Sequence, residues 1–218
     1  IKKGWLSTIY KENSRYKVMP TKPKRIRRNL KTSLKIQVVC EGDTEYSYLY
    51  SILKGLSNVK IYSINGGGYG KFSNHIEKNS SLYSIFLVVV DLDKAQNRNS
   101  ECKLLNRLIK DLDLLDRRNC IFLNGPDIEY WIACCIGNPN DTLTELIELG
   151  YVKGNTVNTF LNNQHGSIDI AKQHVNSTRI YYSKPNVDCK YGLYKEFLNE
   201  RQSTLGNLLP YIEELNRS

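Results

Sequence analysis

No apolar run in this sequence approaches the ~20 residues that a membrane span needs, and no small-residue cleavage site follows an apolar core near the start. A membrane partner and a signal peptide are therefore not expected. Six cysteines (40, 102, 120, 134, 135 and 189) contain no CxxC pair. Several sit in apolar runs, where cysteine behaves as a small hydrophobe. Zinc is not expected, and the simpler setting is a reduced, cytoplasmic one. The three histidines, His75, His165 and His174, show neither HxH nor HExxH spacing and are read as ordinary. GxxxxGK[ST] and GxGxxG are both missing, so neither a P-loop nor a dinucleotide site is predicted. No repeat and no low-complexity tract is found.

What remains is a globular composition: 218 residues, 40% apolar and 10% aromatic. That length buries one core and a small appendage. The first residue is Ile1 rather than methionine, which suggests a piece of a longer protein with sequence upstream. The net charge of +9 is uneven. Residues 1–35 carry twelve Lys/Arg against the single acid Glu12, so the remainder is near neutral. The excess forms a basic arm, densest around Lys24, Arg25, Arg27 and Arg28. Such an arm attracts phosphate backbones without reading sequence. A solvated linker, or a contact to an upstream domain, accounts for it equally well.

The chain is organised around two stretches. Leu34–Cys40 reads as an apolar strand that ends in Glu41-Gly42 and opens into a helix over Thr44–Leu56. Ile85–Val90, IFLVVV, reads as a second strand and ends in Asp91-Leu92-Asp93. A near-continuous β-branched run suits a central parallel strand buried on both faces. Open α/β sheets build their sites at the carboxyl ends of such strands. Val59–Ile64 and Asn119–Leu123 complete a predicted four-stranded, mostly parallel sheet flanked by helices. Further helices are expected at Phe72–Lys78, Glu101–Leu115 and after Asn124-Gly125-Pro126-Asp127, with Pro126 in the first turn. From Asn138 onward short helical segments alternate with Gly, Asn and Pro: Thr142–Leu149, Thr156–Asn162, Ile168–Val175, Gly192–Leu198 and Leu205–Leu215. The predicted organisation is a basic arm over 1–33, an α/β domain over 34–137 and a helical extension over 138–218.

The chemistry rests on carboxylates. Glu41, Asp91 and Asp93 would gather along one sheet edge, where they repel one another unless a cation neutralises them. Mg²⁺, with Mn²⁺ as the alternative, takes one or two carboxylates plus waters and phosphates. Two such ions would clamp the attacking and leaving oxygens of a phosphodiester. Glu41 either ligates, serves as general base, or caps the first helix. Glu45, one turn on, either shares the ion or is a helix-start acid. Glu129 lies in an almost wholly apolar helix, Ile128–Cys135, where an unpaired carboxylate is costly. It is therefore expected to contact a metal, a lysine or an arginine. Lys71, Lys94 and Lys184 are candidate phosphate contacts. The glycine run Asn65–Gly70 is either an anion cradle or a flexible loop beside the site.

Glu41-Gly42 followed by Asp91-x-Asp93 resembles a Toprim domain, which places a Glu after its first strand and a DxD after its third. Cys40-Glu41-Gly42-Asp43-Thr44-Glu45 is similar to the CEG-x-TE opening of RloB-like proteins. Ile128-Glu129-Tyr130-Trp131 resembles their acidic, tryptophan-bearing helix, and Lys184-Pro185-Asn186 is a fainter echo. The resemblance covers roughly 34–200. Its one departure is Asn-Gly-Pro-Asp-Ile ahead of Glu129, where an Asn-Pro with a bulky residue is expected. The resemblance implies a Toprim-type fold and a Mg²⁺-dependent endonuclease of bacterial anti-phage defence, cutting RNA and in particular tRNA. Glu41, Asp91 and Asp93 would be metal ligands, with Glu45 and Glu129 also catalytic. Related domains occur behind retron reverse transcriptases, which fits an upstream domain or partner that controls activity. The alternatives are DNA cleavage of the OLD type and a non-catalytic nucleic-acid-binding module. A homo-oligomer is left open.

Overall fold

A computed structural model of the chain describes residues 34–154, 157–175 and 201–218, which belong to one compact unit. The basic arm with Lys24, Arg25, Arg27 and Arg28, the helix expected at Gly192–Leu198, and Lys184 lie outside these residues.

Four strands run parallel: β1 (Ile36–Cys40), β2 (Val59–Ser63), β3 (Ile85–Asp91) and β4 (Cys120–Gly125). The sheet order is β2-β1-β3-β4, closed at one edge by a fifth strand, β5 (Gln202–Ser203), which pairs antiparallel with β4. The sheet is therefore five-stranded, not four-stranded. The extra strand spans two residues, too few to show an alternating pattern. β1, β3 and β4 are buried almost throughout, as parallel strands covered on both faces must be. β2 is an edge strand and alternates, with Lys60 and Tyr62 turned outward.

The strand residues divide by parity between two cores. Ile36, Val38, Ile85, Leu87, Val89, Cys120 and Phe122 face one. Val39, Phe86, Val88, Val90, Ile121 and Leu123 face the other. The first core is covered by α1 (Asp43–Leu53), α5 (Ile128–Cys135), α6 (Leu143–Glu148), α7 (Val157–Asn163), α8 (Ile168–His174) and α9 (Leu208–Arg217). The second is covered by α2 (Gly70–Asn79), α3 (Asp93–Asn97) and α4 (Asn99–Leu115). The result is an α/β fold with helices on both faces of a mostly parallel sheet. α4 shows why: Leu105, Leu108, Ile109 and Leu112 recur at helical spacing and are all buried, each contributing about 1.5–3 kcal/mol. The segments after residue 138 bury Leu146, Phe160, Leu208 and Ile212 in the same core as α1 and the sheet.

Two local differences from the sequence reading matter for the site. A short helix, α3, begins at Asp93 directly after β3, where no element was expected. Pro126 precedes α5 rather than starting it. Asp127 is the N-cap and accepts from the Tyr130 amide at 3.0 Å. The Pro126 carbonyl accepts from the amides of Leu92 (2.8 Å) and Asp93 (2.9 Å), which ties the β4–α5 turn to the end of β3. Among the described residues no helix is long and apolar enough to cross a membrane.

Candidate functional site

The chain passes from β1 outward to β2 and then back past β1 to β3, so a crevice opens between β1 and β3 where the strand order reverses. A cleft of about 420 Å³ lies there, at the carboxyl ends of β1 and β3. Glu41, Glu45, Asp91, Asp93 and Glu129 all line it, together with Asp43. Lys94 and Lys153 are the two bases in its wall. Six acids thus face two lysines.

Each carboxylate is delivered by a different piece of local structure. Asp91 is the last residue of β3, in register with Asn124 of β4, whose side-chain amide donates to its carboxylate at 3.2 Å. Asp93 opens α3 and accepts from the Lys94 amide at 2.6 Å. Glu41 follows β1 and forms an ion pair with Lys94. Glu45, in the first turn of α1, is buried. Its carboxylate lies 3.3 Å from where a Cβ at Gly42 would stand, so a side chain there would press on it. Glu129 is buried in α5. The Tyr151 hydroxyl donates to it at 3.3 Å, and Lys153 pairs with it at 3.2 Å.

The charges are poorly balanced, and the protonation equilibria reflect it. Burial pushes the Asp91 carboxyl well above the usual range, with Glu45, Asp127 and Glu129 adding to the shift and Asn124 opposing it. Burial also raises Glu45, and Glu129 adds to it, against the hydrogen bonds from its own amide and that of Gly42 and the pull of Lys153. Asp127 is raised in the same way. Burial lowers the Lys153 ammonium, but the pull of Glu129, Asp127 and Asp91 outweighs it and leaves the pKa raised. Cys40, under the cleft, is raised by burial and by Glu45, Asp43 and Asp91. That shift disfavours the thiolate, the form in which a cysteine acts as a nucleophile.

The glycine run is not arranged as an anion cradle. The Gly66 amide is already bonded to the Glu41 carbonyl at 2.8 Å. The Gly66 and Gly67 carbonyls accept from Lys71 (2.7 Å) and Lys94 (3.3 Å). A Cβ at Gly67, where φ is +104°, would collide with the Lys71 side chain. Lys71 thus lies against the loop, outside the cleft wall, whereas Lys94 stands within it. His75 bonds Gln37 at 3.0 Å and stacks on Tyr62, away from the carboxylates.

The sequence carries no sign of Lys153 or Tyr151, and it shows Asp43, Thr44 and Asp127 only as parts of a motif or a turn, with no role in the site. Thr44 accepts from the Gly154 amide at 2.9 Å and so fastens the 151–154 segment over the start of α1. Lys153 and Tyr151 come from irregular backbone whose position no local pattern reveals. Asp127 did carry a signal, as an Asp directly before an apolar helical run.

The donor set consists of carboxylate oxygens with no softer ligand. Among the described residues no three His, Cys, Asp or Glu side chains stand close enough together to form a ready ligand group. The chemistry fits Mg²⁺ nonetheless, since that ion needs only one or two carboxylates and fills its shell with water and phosphate oxygens.

No family model matches the chain, and neither a curated protein nor a solved structure does.

Proposed function

We propose that the chain is a Toprim-type, Mg²⁺-dependent endonuclease of the RloB-like kind that hydrolyses phosphodiester bonds in RNA. One observation carries the reading: Glu41, Glu45, Asp91, Asp93 and Glu129, drawn from three separate stretches of sequence, line one acidic cleft at the carboxyl ends of β1 and β3. An excess of carboxylates that raises its own members' pKa is unfavourable for a fold and useful for a cation site. The preference for RNA, the tRNA substrate and the role in anti-phage defence come from the resemblance of Cys40–Glu45 and Asp91–Asp93 to that family.

Asp91 and Asp93 are the residues that would hold the ion, since neither is paired with a lysine among the described ion pairs, whereas Glu41 and Glu129 are. A divalent cation held by them would neutralise the acidic cleft and would supply a Lewis acid for a phosphoryl oxygen. Glu45, whose carboxyl burial holds above its usual range, lines the same cleft and is the residue that would accept a proton from an attacking water. Lys94, held by Glu41 and the Gly67 carbonyl, presents positive charge at the cleft wall where a phosphate would enter. Lys153 and Tyr151 hold the Glu129 carboxylate in place.

The test incubates purified protein with total tRNA and with plasmid DNA, in Mg²⁺ or EDTA, beside Asp91→Ala and Glu41→Ala. The expected result is discrete tRNA fragments that require Mg²⁺ and both carboxylates. Full activity in a folded Asp91→Ala protein would overturn the proposal. DNA nicking alone would move the substrate to DNA. Binding of nucleic acid, with metal-dependent stabilisation but no turnover, would make the domain a non-catalytic module.

A further inference from the structure

Tyr46 and Tyr50 stand one turn apart on the outer face of α1 and belong to neither core. They are 39% and 55% exposed, their rings are within 13° of parallel, and the centroids are 6.3 Å apart. The buried face of the same helix is made by Tyr48, Leu49 and Leu53, so packing does not require two more aromatic rings. The two tyrosines line a shallow groove of about 470 Å³ with Ser47, Asp43, Lys153 and Gly154. The last three also line the acidic cleft. The groove is therefore a direct continuation of the cleft, and the aromatic faces begin where the carboxylates end.

We propose that Tyr46 and Tyr50 form a base-stacking platform for a single-stranded nucleic-acid segment whose scissile phosphate lies in the acidic cleft, an inference that rests on the nuclease reading. The occupant follows from the chemistry. A wall of six acids and two lysines offers a polyanion little net attraction, so holding a strand beside the cleft calls for contacts that do not use charge. Aromatic faces provide such contacts with any base. Bases inside a duplex offer no free face, so the strand must be single or splayed from a loop. Lys153, 65% exposed in its side chain, stands at the junction of groove and cleft, where a backbone phosphate would pass between them.

The experiment uses the whole chain and a fluorescein-labelled 12-nucleotide single-stranded RNA. Binding is read by anisotropy, in EDTA and on ice in Mg²⁺, and cleavage by steady-state kinetics. The proteins are wild type, Tyr46→Ala/Tyr50→Ala, Tyr46→Phe/Tyr50→Phe, and Tyr62→Ala as an exposed tyrosine elsewhere. Circular dichroism and melting verify that each variant is folded. Loss of base stacking is expected to weaken binding at least about ten-fold in the double alanine variant. KM should rise in step while kcat holds, and the phenylalanine pair and Tyr62→Ala should match wild type. An RNA with abasic residues beside the cleavage position should reduce wild type to the level of the double alanine variant. Equal binding by wild type and the double alanine variant, with Asp91-dependent cleavage intact, would overturn the platform and leave the nuclease standing. Tyrosine-dependent binding without any cleavage would uphold the platform and remove the nuclease. Wild type that neither binds nor cleaves overturns both.

Discussion

The Tyr69 hydroxyl donates a 2.6 Å hydrogen bond to the main-chain carbonyl of Asp91. The same oxygen accepts from the Ala95 amide at 3.3 Å, so one buried side chain bridges the end of β3 and the start of α3. Between these two anchors lie Leu92, Asp93 and Lys94. The glycine run that precedes Tyr69 thus delivers a clamp for the acidic turn.

Tyr69→Phe removes that clamp and leaves the Asp91 carbonyl and the Ala95 amide without it, while the ring still fills the core. A loss of about 1–3 kcal/mol is expected in urea unfolding. Because small displacements of reacting groups are costly, Mg²⁺-dependent cleavage should fall about ten-fold or more beyond the stability effect. A variant that keeps wild-type kinetics would show that the pairing with β4 alone positions the turn.

Lys153 and Glu129 make a pair of unequal exposure, 65% and 6% in their side chains. The lysine has solvent to fall back on and the carboxylate does not. Lys153→Met should therefore destabilise the fold through the stranded Glu129, by about 1–2 kcal/mol once the exposure of the lysine is discounted. Glu129→Gln in the same background should recover most of that loss, since a neutral amide can still accept from Tyr151. The measurement is a double-mutant cycle in urea at neutral pH, and strict additivity would mean that the pair contributes nothing.

The parts of this arrangement that could be read in the sequence are those carried by long, regular patterns. IFLVVV admits little besides a strand buried on both faces, and the acids at its end follow by position. Two such strands, each ending in an acidic turn, were enough to bring Glu41 and Asp91 to one edge. The sheet order that makes this edge a crevice is a tertiary property, as is the pairing of Glu41 with Lys94, 53 residues away. β5 holds its place through contacts that carry no periodicity: Ser203 bonds the Asn124 side chain at 2.7 Å, and the neighbouring Thr204 hydroxyl accepts from the Leu123 amide at 2.9 Å. Lys153 and Tyr151 reach the site from irregular backbone, so nothing in their neighbours marks them. Glu129 was conspicuous because a lone carboxylate in an apolar helix demands a partner, but only the fold could say which.

Asp91 links the site to stability through pH. Its carboxyl is raised above the ordinary value of about 3.9 by burial and then by Glu45, Asp127 and Glu129. A folded state that holds a proton more tightly than the unfolded chain gains stability that is fully present below the unfolded pKa. That gain is lost as pH climbs through the raised folded value. In EDTA at pH 8 the wild type therefore carries a repulsion that Asp91→Asn lacks, and the variant should melt a few degrees higher. The difference should shrink as pH falls and vanish below about pH 4, where both side chains are neutral. Adding Mg²⁺ at pH 8 should raise the wild-type melting temperature, because ligand binding to the folded state stabilises it, and should raise that of the variant far less. A variant that melts below wild type at every pH would mean that Asp91 serves the fold as a hydrogen-bond acceptor for Asn124, with no electrostatic strain for a cation to relieve.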